Sequence, residues 1–282
     1  MKLYIIGNGF DLDLGIKSGY NDFLKSDQFK NLVNPNTECD FAKYLFKQIN
    51  NESEVKWVDI EIELKRYVNN ICSKSPTAFK EEFNSLTKAL QSYLLSVNVL
   101  NPIDESKGSI RLVKKIINDL NGTQSTTRII NFNYTSNIVQ LVDNLNRKNY
   151  STTLIDLINV HGKLNEEIIL GIEDGALIDQ KEDFVFLKKG MNDSYSNNKW
   201  HQSYMEAKEI TIFGHSLGES DQDVFKPMFE NLLQTRSMSK VINIYFHPKD
   251  VGYISKRINR LLDGAITTFK TVHDLRLNPK WN

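Results

Sequence analysis

The chain has 282 residues, with 35 Lys+Arg against 35 Asp+Glu and a formal net charge of zero, a balance that argues against a nucleic-acid or anionic-membrane footprint while leaving a local basic patch open. Its length allows one large domain or two modest ones around a proper core. The two cysteines, Cys39 and Cys72, lie far apart with no Cys-x-x-Cys partner; they fall short of the roughly four ligands of a structural zinc site and fit a reducing cytosol.

Lys2 to Ile6 reads as a short buried strand. Met1 to Ile6 lacks the apolar region and cleavage site of a signal peptide, and no apolar run approaches the ~20 residues of a membrane span; the expected location is the cytoplasm. The strand breaks into Gly7-Asn8-Gly9-Phe10-Asp11, followed by Gly15 and Gly19-Tyr20. A strand opening into a Gly-rich turn begins a nucleotide-binding α/β sheet. The spacing is Gly-x-Gly-x5-Gly, with Leu12 where the dinucleotide fingerprint has its third glycine, so an ordinary dehydrogenase site is not expected. The absence of Gly-Lys-Ser/Thr excludes a phosphate loop of the ATPase kind. Taken alone, the segment is either a nucleotide or pyrophosphate site or a tight structural turn.

From Gly19 to Leu120 the pattern is helical. Trp57 to Val68 reads as an amphipathic helix whose Trp57 and Tyr67 belong to a core. Ser75-Pro76-Thr77 starts another over Phe79 to Val97, Asn101-Pro102 breaks it, and Ile110 to Leu120 ends at Asn121-Gly122. Further short apolar runs follow: Arg128 to Phe132, Leu154 to Val160, Ile168 to Leu170, Glu209 to Phe213, Val241 to Phe246 and Ala265 to Phe269. Helical stretches lie between many of them, at Tyr134 to Leu145, Asp221 to Leu233 and Gly252 to Leu262. Lys188 to Asn198 is polar and reads as a mobile loop. The alternation predicts an α/β fold, a Rossmann-like and mostly parallel sheet with helices on both faces. Residues 1–24 and 123–282 form that unit, and residues 25–122 are a helical insertion or covering layer.

In open parallel sheets, ligands bind beyond the carboxyl ends of the strands. Five expected strand ends carry polar or Gly-rich residues: Gly7, Asn8, Gly9 and Asp11; Asn131 to Thr135; His161 and Gly162; Gly171, Glu173 and Asp174; and Gly214 to Gly218. Each also has a plain structural reading. Asn133 can cap a helix starting at Tyr134, and Asn131 can satisfy turn backbone. His161 can be a buried, satisfied histidine. Gly171 and Glu173 can shape a turn, and Asp11 can bond the turn behind it. Gly214-His215-Ser216-Leu217-Gly218 also matches the nucleophile elbow of serine hydrolases, with Asp250 and His273 in the required order. Against that stand the bulky acidic residues after the elbow, the 66 residues left (282 minus 216) for the remaining scaffold, and the motifs it leaves unexplained.

The motifs taken together resemble a known family. Ile5 to Leu12 with Gly15, Tyr20 and Phe23, and then Trp57-x-Asp59-x-Glu61, are similar to AbiH-type bacteriophage abortive-infection proteins. More distantly, Gly7-Asn8-Gly9, Gly15-Ile16-Lys17, Asn131 to Thr135, His161-Gly162 and Gly214 to Leu217 resemble segments of sirtuin-like NAD-binding domains, which implies a sirtuin-like form of the sheet. The four-cysteine zinc module of sirtuin deacetylases has no counterpart here, so deacetylation is not expected. Lys17 and Thr135 replace that group's proline and aspartate. The resemblance implies an anti-phage protein that binds NAD and hydrolyses its nicotinamide–ribose bond without a metal. Asn133 would hold the ribose hydroxyls or water, and His161 would be the general base. Gly7, Asn8 and Gly9 would offer backbone N–H groups to the pyrophosphate. Phe10, Asp11, Tyr20, Gly214, His215 and Ser216 would complete the nucleotide site. The alternatives are a non-catalytic sensor of NAD or ADP-ribose, an RNA-directed toxin and a serine hydrolase using Ser216. The expected partners are a small nucleotide and a phage-derived trigger. Membrane and nucleic-acid partners are not expected, and a homo-oligomer is left open.

Overall fold

A computed structural model describes residues 1–51, 59–100, 102–122, 126–146, 156–176, 178, 182–196, 200–235 and 239–279. Its centre is a six-stranded sheet of β1 (Lys2–Ile6), β2 (Thr127–Asn131), β3 (Asp156–Asn159), β4 (Glu209–Phe213), β5 (Val241–Tyr245) and β6 (Asp274–Asn278). The order is β3-β2-β1-β4-β5-β6 and every pairing is parallel. The chain winds outward from β1 to β3, then crosses back to place β4 on the other side of β1. That reversal is the switch point beside which α/β sheets take ligands. The expected Rossmann-like architecture is what the chain adopts.

Period-two alternation divides β1 between two cores. Leu3 and Ile5 face a core built with the helices that cover the C-terminal half, while Tyr4 and Ile6 face the opposite one. In chain order the helices are α1 (Gly9–Asp13), α2 (Tyr20–Phe23), α3 (Asp27–Val33), α4 (Asp40–Asn51), α5 (Ile60–Asn70), α6 (Pro76–Val97), α7 (Gly108–Asn121) and α8 (Asn137–Asn146). After β3 come α9 (Asp193–Ser196), α10 (Trp200–Glu206), α11 (Gln222–Gln234), α12 (Val251–Leu261) and α13 (Ile266–Val272). α7 and α8 supply Ile110, Val113, Ile116, Ile138 and Leu141 to the face of Tyr4 and Ile6. α10 to α13 cover the other face through Tyr204, Phe225, Phe229, Ile258 and Phe269.

A third core lies among α2 to α6. Phe23, Phe29, Phe41, Leu64, Phe79, Leu86 and Leu90 pack there with Leu164, Ile168, Leu170, Ile172 and Leu187 from the segment after β3. Cys39, Cys72 and Tyr67 are buried in it. Trp57 and the start of its expected helix lie outside the described residues. Caps mark where these helices begin. The Ser75 hydroxyl accepts the Ala78 N–H of α6, with Pro76 at its first position, and Asp59 accepts the Glu61 and Ile62 N–H groups of α5.

Three local expectations are corrected. Ile168 to Leu170 is not a sheet strand; Ile168 makes one isolated antiparallel bridge to Gly162. Its alternation instead serves two cores, Ile169 facing the sheet and Ile168 and Leu170 the helical layer. Ala265 to Phe269 falls on α13, and the sixth strand is the following Asp274–Asn278, whose polar alternation suits a sheet edge. Lys188 to Asn198 contains a 3-10 turn (Lys189–Met191) and α9, with Lys189 and Tyr195 buried, while Asn197 and Asn198 lie outside the described residues. Among the described residues, no helix is long and apolar enough to cross a membrane.

Candidate functional site

The first turn is locked to the β4 turn rather than opened to an anion. Gly7 N–H donates to the Phe213 carbonyl at 2.9 Å, Gly9 N–H to the Gly214 carbonyl at 2.8 Å and Phe10 N–H to the Gly7 carbonyl at 3.0 Å. A Cβ on Gly7 would stand 2.5 Å from His215 Cα, and one on Gly9 2.6 Å from Gly214 Cα. The glycines are therefore needed for backbone-to-backbone approach. The N–H groups of Gly7 and Gly9 expected at a pyrophosphate are already spent. Phe10 is buried edge-on to Phe213 in the sheet core, so its side chain is not a ligand contact. Asp11 is fully buried and accepts from Thr135 Oγ1 at 2.6 Å and Asn137 Nδ2 at 3.1 Å. Burial pushes its carboxyl up to about 6 against those two hydrogen bonds. It fixes the first turn to the segment after β2. Asn8 stays partly exposed and accepts from Ser18 Oγ at 2.5 Å.

Beyond β2, Asn131 and Asn133 separate in role. Asn131 Nδ2 reaches the carbonyls of Asn133 (3.2 Å) and Thr135 (2.9 Å), and its Oδ1 accepts Asn133 N–H at 3.1 Å. It satisfies turn backbone. Asn133 caps no helix, because α8 begins only at Asn137. It is 4% exposed, yet its Oδ1 has no hydrogen-bond partner among the described residues. A buried amide oxygen without a partner is costly and calls for an explanation. Asn131 pairs with Asn159 across β2 and β3, so Asn133 and His161 each stand two residues past a matched pair. The rings of Tyr134 and His161 are 5.7 Å apart.

His161 lies in a buried group of charges. Its Nε2 is 3.1 Å from Asp221 Oδ1, and His215 Nε2 is 3.3 Å from Asp221 Oδ2. Lys189 Nζ donates to Asp221 Oδ1 (3.1 Å), Glu61 Oε2 (3.0 Å) and the Ser220 carbonyl (2.9 Å), and its side chain is completely buried. Glu61 Oε1 accepts Gly171 N–H at 3.2 Å, and Ser220 Oγ donates to Asp59 Oδ2 at 3.3 Å. Tyr20 and Tyr134, both half-buried, join hydroxyl to hydroxyl at 3.2 Å.

Burial opposes every charge here, and proximity decides which survive. Burial works against ionised Asp221, but Lys189 and the two imidazoles hold its carboxyl well below the usual range. Burial also works against ionised Lys189, which Asp221 and Glu61 nevertheless keep protonated. Burial, with the nearby charges of Asp221 and Asp59, pushes Glu61 up to about 8 against the pull of the adjacent Lys189. Burial and the adjacent Lys189 lower His161, leaving it neutral at physiological pH. The group thus contains an ion pair, a carboxyl inclined to hold a proton and a neutral imidazole, the materials of acid–base chemistry.

The serine-hydrolase alternative does not assemble. Ser216 is exposed beyond the carboxyl end of β4. His273 directly precedes β6, at the amino end of this parallel sheet, where it accepts Lys240 N–H and donates to the Leu232 carbonyl. About 16 Å of strand separates the two rims. The residues after Ile168 to Leu170 also prove structural: Gly171 meets Glu61, Glu173 pairs with Lys65 at 2.9 Å, and Asp174 accepts Gly190 N–H at 2.6 Å.

Residues 3–244 match the family model described as bacteriophage abortive infection AbiH. The chain belongs to the AbiH family. Its role is accordingly in phage abortive infection. No curated relative matches the chain.

In this AbiH protein the structure brings together His161, His215, Tyr20 and the turns bearing Gly7, Gly9 and Gly214. It turns Phe10 and Asp11 inward to structural contacts. Lys189, Asp221, Glu61, Asp59 and Ser220 were not among the expected site residues. The signal available for two of them was Asp59-x-Glu61 at a helix start, which the family resemblance had already marked. Lys189 stood in a polar stretch, and Asp221 in an acidic run that reads as a solvated helix start.

Proposed function

We propose that this AbiH protein takes NAD at the carboxyl rim of its sheet and hydrolyses the nicotinamide–ribose bond. The observation that carries this reading is the placement of Asn133 and His161 at one level past adjacent strands, Asn133 buried with an amide oxygen that has no partner among the described residues and His161 neutral. A ribose hydroxyl or a water would supply the missing partner of Asn133. In the reaction a water oxygen forms a bond to the ribose anomeric carbon as the carbon–nitrogen bond breaks. The bonding pair leaves with the pyridinium nitrogen, giving neutral nicotinamide, and the water's proton passes to His161. The remaining product is ADP-ribose. The first turn shapes the rim in this reading, since its Gly7 and Gly9 donors are engaged elsewhere.

The test is incubation of the purified protein with NAD and a panel of other nucleotides, read by mass spectrometry. Nicotinamide and ADP-ribose are expected from NAD. His161→Ala and Asn133→Ala should each lower turnover by about a hundredfold or more with the fold retained. Variants that hydrolyse NAD like the parent remove these roles, and NAD binding without nicotinamide release makes the protein a sensor.

A further inference from the structure

Hydrogen-bond counting settles where the protons of the buried group lie. A lysine ammonium has three donors and no acceptor. Those of Lys189 have three acceptors, Glu61 Oε2, Asp221 Oδ1 and the Ser220 carbonyl, at 2.9–3.1 Å. His161 Nε2 is farther, at 3.4 Å, and is not needed to satisfy Lys189. Were Nε2 bare, it would face the Asp221 oxygen at 3.1 Å lone pair to lone pair. Nε2 therefore carries the proton and donates it to Asp221. His215 reaches the same carboxylate by the same logic: its Nδ1 accepts Leu217 N–H at 2.9 Å, leaving a protonated Nε2 for Asp221 Oδ2. Asp221 thus gathers three donors and cannot offer a proton to either ring. Among the described residues, His161 Nδ1 has no hydrogen-bond partner.

We propose that Asp221 is a positioning residue that holds His161 in its Nε2–H tautomer, so that the unpaired Nδ1 is the atom that takes the proton from water. Its catalytic consequence rests on the hydrolase reading above; the tautomer does not. Lys189 keeps Asp221 ionised, and Glu61, on the far side of that ammonium, anchors it from the helical layer. The titratable and charged groups around His161 are Asp221 and His215 after β4, Lys189 in the turn before α9, Glu61 and Asp59 at the start of α5, Tyr134 after β2 and Tyr20 in α2. This is an orienting carboxylate, a ring and a free basic nitrogen, arranged as in other sites where a carboxylate selects the histidine tautomer.

Two measurements test it on the full chain. Side-chain 15N spectra of the parent, with His161 assigned by comparison with His161→Gln, should show a protonated Nε2 and a bare Nδ1 near neutral pH. A protonated Nδ1 overturns the proposal whether or not any variant folds. Asp221→Asn can instead donate to the ring and draw the bare nitrogen to Nε2. In folded variant protein kcat should drop about a hundredfold to ten-thousandfold, with KM moved far less, and the His161 spectrum should switch tautomer. Folded Asp221→Asn with the parent's kcat and tautomer also sinks it. A parent that releases no nicotinamide defeats the hydrolase reading alone, and the spectra still decide the tautomer.

Discussion

Asp11 shows at the residue scale how position turns an apparent ligand into a strut. Its carboxyl is pushed up from its ordinary value near 3.8 to about 6 by burial, against the two hydrogen bonds that favour its charged form. A carboxyl raised in the folded state holds its proton more tightly there than in the unfolded chain. Its contribution to stability is full below about pH 4 and is lost as pH rises through about 6. Asp11→Asn removes this titration. Urea unfolding should show the variant gaining on the parent by roughly 2–3 kcal/mol between about pH 4 and about pH 7. An unchanged gap between the two proteins would mean that Asp11 does not titrate in that window. Gly7 and Gly9 make the same point without a charge, because their lack of a side chain is used against Gly214 and His215 rather than against phosphate.

Among the elements, α5 and α6 show how a local signal is read correctly while its use stays hidden. Ser75 followed by Pro76 marks the start of α6, and the side chain accepts Ala78 N–H at 3.3 Å as that signal requires. Ser75→Ala should cost about 1 kcal/mol, measured by chemical denaturation. Asp59 caps α5 in the same manner, but its second oxygen takes Ser220, far along the chain. Glu61 lies in the first turn of α5 and turns inward to Lys189. No helical period distinguishes such a glutamate from a solvated one, because the distinction depends on what another part of the chain brings against it. Ala265 to Phe269 failed for a related reason: short apolar runs carry too few periods to separate helix from strand.

For the whole molecule, one lysine joins two layers. Lys189 ties Glu61 of the helical layer to Asp221 beyond β4, with its side chain wholly buried. Lys189→Met leaves the Asp221 carboxylate out of water without its ammonium and should destabilise the protein by about 3–5 kcal/mol, since removing one partner of a buried pair leaves the other uncompensated. Thermal unfolding measures the loss, and hydrogen exchange of the α5 amides should rise more than that of β1. A variant as stable as the parent would show that the layers are held by apolar contact alone. The sheet itself does not depend on this lysine, because its cores are apolar and continuous on both faces.

The sequence by itself determined the fold class and five of the six strands. The runs that became β1 to β5 bury their backbone polar groups by pairing, and the helices between them favour parallel pairs. It also placed Asn133 and His161 at strand ends, since that depends only on where each run stops. Tertiary structure alone decided what those ends contain. The Gly7 and Gly9 donors went to the β4 turn because the two turns touch, and His273 was carried to the opposite rim by the direction of β6. Lys189, Glu61 and Asp221 became one buried cluster because 128 residues of chain separation between Glu61 and Lys189 close to 3.0 Å. Long-range approach sets the burial and charge on which every proton in that group depends, and no local pattern of residues encodes it.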